Sequence, residues 1–184
     1  TVSQPLLPID IIQFSRLHSK SLKTHQFLQT NKKQTLRYCT NHDVGDGAHC
    51  ISGHLTLPIF AYAEKCARPR IFVLAYPSLT KISECSQGCA NGYLATAFAT
   101  RDHVISLGQF PNFRLTVWKW RTGEKVIRVN TQIRDEVGQI LRVSQTGLTL
   151  IAQMGRTCGR LLTWDLSVAG STVILEGKNR FLYI

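Results

Sequence analysis

A strand-like segment that recurs along the chain constrains the fold more than any other feature of the sequence. Three apolar segments of equal length read IFVLAY, LTVWKW and LLTWDL, and each carries a large apolar residue at the same position. These residues are Leu74, Trp118 and Trp164, which lie 44 and 46 residues apart. Self-similarity at a spacing of about 40–45 residues, with four short strands per unit, is typical of the blades of a β-propeller.

The rest of each unit fits the same interpretation. Each contains four short segments rich in β-branched and aromatic residues, with Gly, Pro, Asn and Asp mostly between them. The strands are expected at 93–100, 103–109, 113–120 and 125–129 in the middle unit, and at 138–144, 148–154, 160–166 and 172–176 in the last unit. In the last unit Trp164 precedes Asp165, which is the dipeptide that names the WD repeat. The sequence therefore predicts an all-β, WD40-like partial β-propeller, with about three complete blades plus fragments of flanking blades.

The predicted division of the chain follows from these repeats. It consists of an N-terminal extension or partial strand or helix (1–24), a partial-blade hairpin (25–46), three blades (47–90, 91–136 and 137–177) and the start of a further blade (178–184). The hairpin is expected to turn at Asn31-Lys32-Lys33, and an amphipathic helix over 9–28 is the alternative. The start, TVSQPLLPID, lacks Met and indicates a trimmed or partly ordered chain. Since three blades cannot close a ring, we expect the remaining blades in missing sequence or in another chain.

Two tryptophans stand two positions apart in the middle unit. Strand residues with this spacing point to the same face, so the same neighbour must cover Trp118 and Trp120. A large ring on a strand is more often core than binding site. We expect both indoles in the core, with each blade hiding its large residue beneath the blade that follows.

Charge is the most pronounced feature of the composition. The chain carries a formal net charge of +11, which implies an acidic partner such as nucleic acid, an anionic membrane surface or an acidic protein surface. No run of about 18 apolar residues is present, so no transmembrane helix is expected. Exposed aromatic residues among basic ones would favour single-stranded nucleic acid. Since Phe72, Tyr76, Phe113 and Trp118 occupy positions expected to be buried, a protein partner is favoured.

Cysteine and histidine spacing gives little support for a metal site. The candidates are Cys39-x2-His42 followed by His49-Cys50, and Cys85-x3-Cys89. Structural zinc usually binds two tight two-ligand pairs separated by a longer span, and the first cluster contains one such pair. The six cysteines are instead expected to be unbridged thiols in a reducing compartment.

Catalytic signatures are also missing from the sequence. It contains no Gly-x-Ser-x-Gly motif and no phosphate-binding glycine loop, and its 11 acidic residues are dispersed, so the paired carboxylates of a glycoside hydrolase are not expected. We therefore predict no enzyme activity, no catalytic, cofactor-binding or metal-binding residues, and no cofactor.

Two motifs carry a family resemblance. Tyr76-Pro77-Ser78-Leu79 ends one predicted strand, and the Trp-x-Trp strand over 113–120 follows about 40 residues later. Together with AYAEK at 61–65, these motifs resemble ciliary WD-repeat proteins of the type of cilia- and flagella-associated proteins 44 and 43. The resemblance extends over about 45–145.

The resemblance implies a non-catalytic scaffold of the ciliary or flagellar axoneme. Members of that family tether inner dynein arms to doublet microtubules. The resemblance therefore implies tubulin and dynein-arm or tether subunits as partners within a large complex. It also implies a location in the cytoplasm and cytoskeleton. Membrane binding is not expected. The alternative from the residues alone is a WD-repeat module that binds nucleic acid or ribonucleoprotein, because both kinds of partner are polyanions.

Overall fold

The computed structural model describes residues 47–135, 138–144 and 149–181. For residues 179–181, and for two short strands at 25–29 and 32–36, it describes the backbone alone. Within these residues the chain forms β-strands joined by turns and loops. The strands are β1 (His25–Gln29), β2 (Lys32–Leu36), β3 (Ala48–Gly53), β4 (Ile59–Glu64), β5 (Ile71–Ala75), β6 (Lys81–Cys85), β7 (Tyr93–Phe98), β8 (His103–Gly108), β9 (Arg114–Lys119), β10 (Glu124–Asn130), β11 (Gln139–Ser144), β12 (Thr149–Gly155), β13 (Arg160–Ala169) and β14 (Thr172–Phe181).

Twelve of these strands form three four-stranded antiparallel sheets. Sheet 1 contains β3–β6, sheet 2 contains β7–β10 and sheet 3 contains β11–β14, and in each sheet every strand pairs with its neighbour in sequence. The first strands β3, β7 and β11 pack beside one another, and at the opposite edge β10 approaches β14. Sheets that radiate from their first strands are the blades of a propeller, so the predicted all-β, partial WD40-like propeller is confirmed.

The first of two hydrophobic cores lies between sheets 1 and 2. Its buried members are Ile59, Ala61, Ala63, Ile71, Val73 and Cys85 from sheet 1, and Tyr93, Phe98, Val104, Trp118 and Trp120 from sheet 2 and its turns. Small alanines on β4 face large rings on sheet 2, so the two sheets interlock. At about 25 cal/mol per Å² of apolar surface, burial of this kind is the main stabilising contribution to the seam.

The second core lies between sheets 2 and 3. It contains Ala99, Ile105, Leu107, Leu115, Val117, Ile133, Leu141, Ile151, Leu162, Trp164 and Leu166. Val117 in this core and Trp118 in the first core are neighbours on β9, as strand alternation requires. Sheet 2 is therefore covered on both faces, which explains why all six residues of β8 are buried.

The three tryptophans are buried as expected, but the direction in which they face differs from the prediction. Trp118 and Trp120 lie in the core shared with sheet 1, and Trp164 lies in the core shared with sheet 2. Each indole therefore packs against the preceding sheet, not the following one. Leu74 is buried too, and because Val73 beside it belongs to the first core, Leu74 lies on the face of sheet 1 turned away from sheet 2.

The turn after the Trp-x-Trp strand is shaped by its contact with sheet 1. Gly123 has φ +72° and its N–H donates to the Lys119 carbonyl at 2.9 Å. A Cβ on Gly123 would collide with the backbone carbonyl oxygen of Glu84 on β6. Ser83 of the same strand donates to the Trp120 carbonyl. Glycine is therefore required here both for the left-handed conformation and for the close approach of the two sheets.

Three local expectations are corrected. β14 continues to Phe181 instead of ending at 176, because β13 is ten residues long and pairs with it along its whole length; residues 178–181 therefore belong to sheet 3 and do not start a further blade. Lys32 and Lys33 were expected in the turn of the N-terminal hairpin, but both lie in β2, where Lys32 pairs with Gln29. The end of the alternative helix over 9–28 is occupied by β1. Tyr76, expected to be buried, is exposed.

The remaining N-terminal predictions lie largely beyond what the structure describes. Residues 1–24, 37–46 and 182–184 are outside the described residues. The assignment of 25–46 to an earlier blade stays a prediction, as do the other predicted boundaries between units.

Candidate interaction face

Loops from all three sheets gather at one end of the propeller. In an antiparallel meander every second connection returns to the same end, which here brings together the loops 65–70, 86–92, 109–113, 131–135 and 156–159. We call these loops, with the strand residues that border them, the basic loop face.

Hydrogen bonds tie the loops of sheets 1 and 2 to each other at this end. The Arg68 N–H donates to the Ala90 carbonyl at 2.7 Å. The Asn91 side-chain amide then donates to the Phe110 carbonyl at 3.1 Å. Arg68 itself adopts φ +55°, a left-handed conformation that its backbone hydrogen bond helps to hold. The loop after β4 is thus connected through the loop after β6 to the loop after β8.

The same kind of link continues to sheet 3. The Thr131 hydroxyl donates to the Phe113 carbonyl at 2.8 Å, and the Thr157 N–H donates to the Asp135 carboxylate at 2.6 Å. Both Thr131 and Asp135 are buried. All five loops therefore form one hydrogen-bonded layer, and the positions of their outward-facing side chains are fixed by the fold.

Positive charge is concentrated in this layer. Its basic residues are Lys65, Arg68, Arg70, Arg114, Arg134, Arg156 and Arg160. Of the acidic residues described in these loops and near their strand ends, Glu64 and Asp135 are buried, with 6% and 3% of their surface exposed, whereas Glu84 is half-exposed and lies 4.0 Å from the Arg70 Nη1. Among the described residues, the outward-facing charge of this end is therefore strongly positive.

Glu64 is fully engaged with Arg70. Its carboxylate accepts from the Arg70 Nε and Nη2 at 2.9 Å each and from the Arg70 backbone N–H at 3.2 Å. The pair holds the pKa of Arg70 above its ordinary value, chiefly through the hydrogen bonds from Glu64. Arg70 also stacks over the Phe72 ring at 4.9 Å. This pair fixes the ends of the loop 65–70, so Arg70 contributes to structure more than to binding.

An exposed aromatic ring lies in a loop at the same end of the propeller. Phe110 is 56% exposed, and its ring meets Phe113 edge to face at 6.4 Å between centroids. Its loop is anchored by the Asn91 hydrogen bond and by the Phe113 N–H, which donates to the Gln109 carbonyl at 3.2 Å. Phe110 is thus an apolar group held at the surface by a rigid loop.

The opposite end of the propeller has a different charge pattern. Arg121 and Asp102 form an exposed ion pair at 3.2 Å, and Arg121 stacks on the Trp120 ring at 4.3 Å. Because Asp102 is half-exposed, the charges at this end are more nearly balanced.

His54 connects sheets 1 and 2 at that same end. Its Nδ1 accepts from the Thr56 and Leu57 N–H groups at 3.1 Å each, so Nε2 carries the proton and donates to the Arg101 carbonyl at 3.3 Å. The ring also packs edge to face on Phe98 at 4.9 Å. Burial lowers the pKa of His54, and this network requires the neutral imidazole.

The thiols near the first core are shielded and poorly acidic. Burial raises the pKa of Cys50 and of Cys85 to about 12 each, and it also raises the pKa of Cys89, whose Sγ donates to the Gly92 carbonyl at 2.9 Å. None of these three is disulfide-bonded. Thiols that remain protonated are weak nucleophiles and weak metal ligands.

The structure describes only some of the cysteine and histidine residues that the sequence raised as metal ligands. Cys39 and His42 lie outside the described residues, and within 47–135, 138–144 and 149–181 no three His, Cys, Asp or Glu side chains are grouped to hold a metal ion. His49 instead lies beside Gln109, with 3.4 Å between the His49 Nε2 and the Gln109 Nε2, and burial, with a smaller effect of Lys65, lowers its pKa. The part of the chain that the structure describes also contains no helix with the length and hydrophobicity needed to span a bilayer.

Sequence reasoning named no residue of the basic loop face as a site. The signal that could have found it is the alternation of the meander: three of the five connections at this end carry basic residues, and the described turns at the other end carry fewer of them. The predicted strands 103–109 and 113–120 correctly leave 110–112 as a loop, and Phe113 is buried as expected, but nothing in the sequence shows that Phe110 is exposed.

The fold and this face define a WD40-like propeller module with a positively charged loop end. Comparison with solved structures supports the fold: Hsv2 from Kluyvelomyces marxianus, a propeller-like protein, superposes with a TM-score of 0.64 at 8% identity, covering 89% of this chain and 56% of that one. No family model matches the sequence.

Two curated proteins are similar to this chain in sequence. The chain is 31% identical over 110 residues to Cilia- and flagella-associated protein 44 of Chlamydomonas reinhardtii, which covers 55% of this chain. It is 26% identical over 133 residues, or 71% of this chain, to Cilia- and flagella-associated protein 44 of Trypanosoma brucei brucei. The resemblance drawn from the sequence motifs is thus confirmed. The matched regions are 6% and 7% of those relatives' lengths, so the chain corresponds to a small part of each.

Proposed function

We propose that this chain is part of a non-catalytic WD-repeat scaffold of the ciliary or flagellar axoneme. In this role it helps to tether inner dynein arms to doublet microtubules and so supports ciliary or sperm motility. The observation that carries the proposal is its similarity to two proteins named as cilia- and flagella-associated, from Chlamydomonas reinhardtii and Trypanosoma brucei brucei.

The structure suits a mechanical role. The sheets are joined by two continuous cores, and the loops at one end are hydrogen-bonded into one layer. A surface that is rigid before binding loses little conformational entropy when a partner docks. Such a module can hold a partner in a fixed orientation, which is what a tether under load requires.

The experiment is to tag the protein that contains this chain in a ciliated cell and fractionate isolated cilia. We expect the protein to stay with the axoneme after detergent removes membrane and matrix, and to be released by high salt along with inner-arm components. Chemical cross-linking should connect it to dynein-arm or tether subunits and to tubulin. Its recovery in the detergent-soluble fraction would overturn the proposal.

A nucleic-acid module is the second candidate, and its support is the net charge of +11 together with the exposed Phe110. It predicts tight, salt-sensitive binding to RNA and no retention on axonemes. The same fractionation, with RNA content measured in each fraction, separates the two candidates.

A further inference from the structure

We infer that the basic loop face binds an acidic polypeptide segment that also carries an apolar side chain, with Phe110 as the apolar contact. This inference deepens the proposed function, on which it rests, by naming the surface and the chemistry of the partner. It concerns the end of the propeller formed by the loops 65–70, 86–92, 109–113, 131–135 and 156–159.

Charge complementarity is the first argument for this partner. The exposed basic residues Lys65, Arg68, Arg134 and Arg156 come from both outer sheets and the connection between sheets 2 and 3, so they surround the face instead of lying on one loop. The neighbouring carboxylates of Glu64 and Asp135 are buried and already accept hydrogen bonds. The positive charge at this end therefore has little local compensation among the described residues.

Phe110 is the second argument. Phe110 is exposed at the same end of the propeller as the arginines, and aromatic residues and arginine are both enriched at protein interfaces. Its loop is held by hydrogen bonds to Asn91 and Gln109, so the ring does not have to be ordered when a partner binds. An apolar side chain of the partner would remove the ring from water.

The number of exposed rings favours a polypeptide over a nucleic acid. Binding of single strands depends on several rings on which successive bases stack. On this face Phe110 is exposed, whereas the rings of Phe72, Tyr93 and Phe113 near these loops are buried. A single ring matches one apolar side chain in an acidic sequence better than a run of bases.

The test uses the purified chain and fluorescent peptides. One probe is a ten-residue polyglutamate with a central leucine, and the comparison peptide has glutamate at that position. The variant Arg68→Gln/Arg134→Gln/Arg156→Gln removes three charges from the face. The matched control, Arg101→Gln/Lys119→Gln/Arg142→Gln, removes three exposed charges from elsewhere.

We expect the face variant to weaken binding of the leucine peptide by about tenfold at low salt, and the control by about twofold or less. Phe110→Ala should reduce the preference for the leucine peptide over polyglutamate while leaving polyglutamate binding nearly unchanged. Circular dichroism spectra should show that all variants remain folded.

Equal losses in the two triple variants would overturn the inference, because the face would then contribute no more than net charge. Failure of both peptides to bind would also overturn the inference. Tighter binding of oligouridylate than of the leucine peptide, at matched charge, would overturn it as well. These outcomes leave the axonemal role intact if the tagged protein still fractionates with axonemes. Release of the tagged protein by detergent, with peptide binding preserved, would instead overturn the axonemal role alone.

Discussion

The indole N–H of Trp118 donates to the Ser106 hydroxyl at 2.8 Å, and both side chains are completely buried. The two residues lie on adjacent strands of sheet 2, β9 and β8, facing sheet 1. The hydroxyl satisfies the single polar atom of the indole, so the rest of the ring can pack in an apolar core without a desolvation penalty.

Removing the Ser106 hydroxyl should lower the free energy of unfolding, because the hydroxyl is buried. Ser106→Ala leaves the indole N–H without a partner, and we expect a loss of about 1–3 kcal/mol in the free energy of unfolding. Trp118→Ala should cost ~3–5 kcal/mol, because it leaves a cavity between two sheets. Urea denaturation followed by far-ultraviolet circular dichroism measures both, with the exposed Ser171→Ala as the control. A Ser106 variant as stable as the Ser171 variant would contradict the assigned role.

The two turn glycines Gly123 and Gly170 allow backbone strain to be separated from steric contact. Both have positive φ, +72° and +59°, but a Cβ at Gly170 meets nothing within 4 Å, whereas one at Gly123 meets the Glu84 carbonyl oxygen. Gly170→Ala should therefore cost about 1 kcal/mol for the left-handed conformation alone. Gly123→Ala should cost an additional ~1–3 kcal/mol because sheets 1 and 2 must move apart. Thermal unfolding gives the comparison, and equal losses would show that the close contact is not required.

Stability should fall on acidification because of His54. Its pKa is lowered below the ordinary value of 6.5, mainly by burial. The hydrogen bond to the Arg101 carbonyl and the charge of Asp102 raise the pKa, whereas the charges of the Arg121 and Arg101 side chains lower it further. The neutral form therefore stabilises the folded state: its contribution is complete above pH 6.5 and is lost as the pH falls from there through the folded-state pKa.

The measurement is the urea midpoint as a function of pH for the parent and for His54→Gln. Burial also lowers the pKa values of His49 and His103, so the parent slope contains three contributions. We expect the variant to be less stable at neutral pH and to show a flatter decline below about pH 6.5. Parallel curves would mean that His54 does not titrate with folding.

Two ion pairs differ in burial and should differ in their contribution to stability. The Glu64 side chain is 7% exposed and accepts three hydrogen bonds from Arg70. Glu64→Gln should cost about 3 kcal/mol, because Arg70 then keeps its charge with only the half-exposed Glu84, 4.0 Å from its Nη1, as an acidic neighbour. Asp165, paired at 3.3 Å with the exposed Lys178, serves as the comparison, and Asp165→Asn should cost less than about 1 kcal/mol. Similar losses in chemical denaturation would argue against a structural role for the buried pair.

Strand positions could be predicted closely because the turns are marked in the sequence. The expected strand 103–109 became His103–Gly108, and 125–129 became Glu124–Asn130. The prediction failed where strand pairing continued past a turn-like composition, as in β13, where Ser167 pairs with Ile174 and Val168 with Val173. No local pattern shows how far such an extension runs, since cross-strand pairing determines it.

The side toward which each large residue faces could not be predicted either. Alternation shows that Trp118 and Trp120 share a face, but which neighbouring sheet covers that face depends on the handedness of the stack. The basic loop face was missed for a related reason. Arg68 and Arg134 are distant in sequence, and they come to the same end because the meander returns every second loop to it.

The orientation of the tryptophans has a consequence for synthesis. Trp118, Trp120 and Trp164 all pack on the sheet that precedes their own. As the polypeptide leaves the ribosome, the surface that receives each indole has therefore already emerged before the indole does. The largest apolar groups of this propeller can be covered in chain order, without waiting for residues that have yet to be translated.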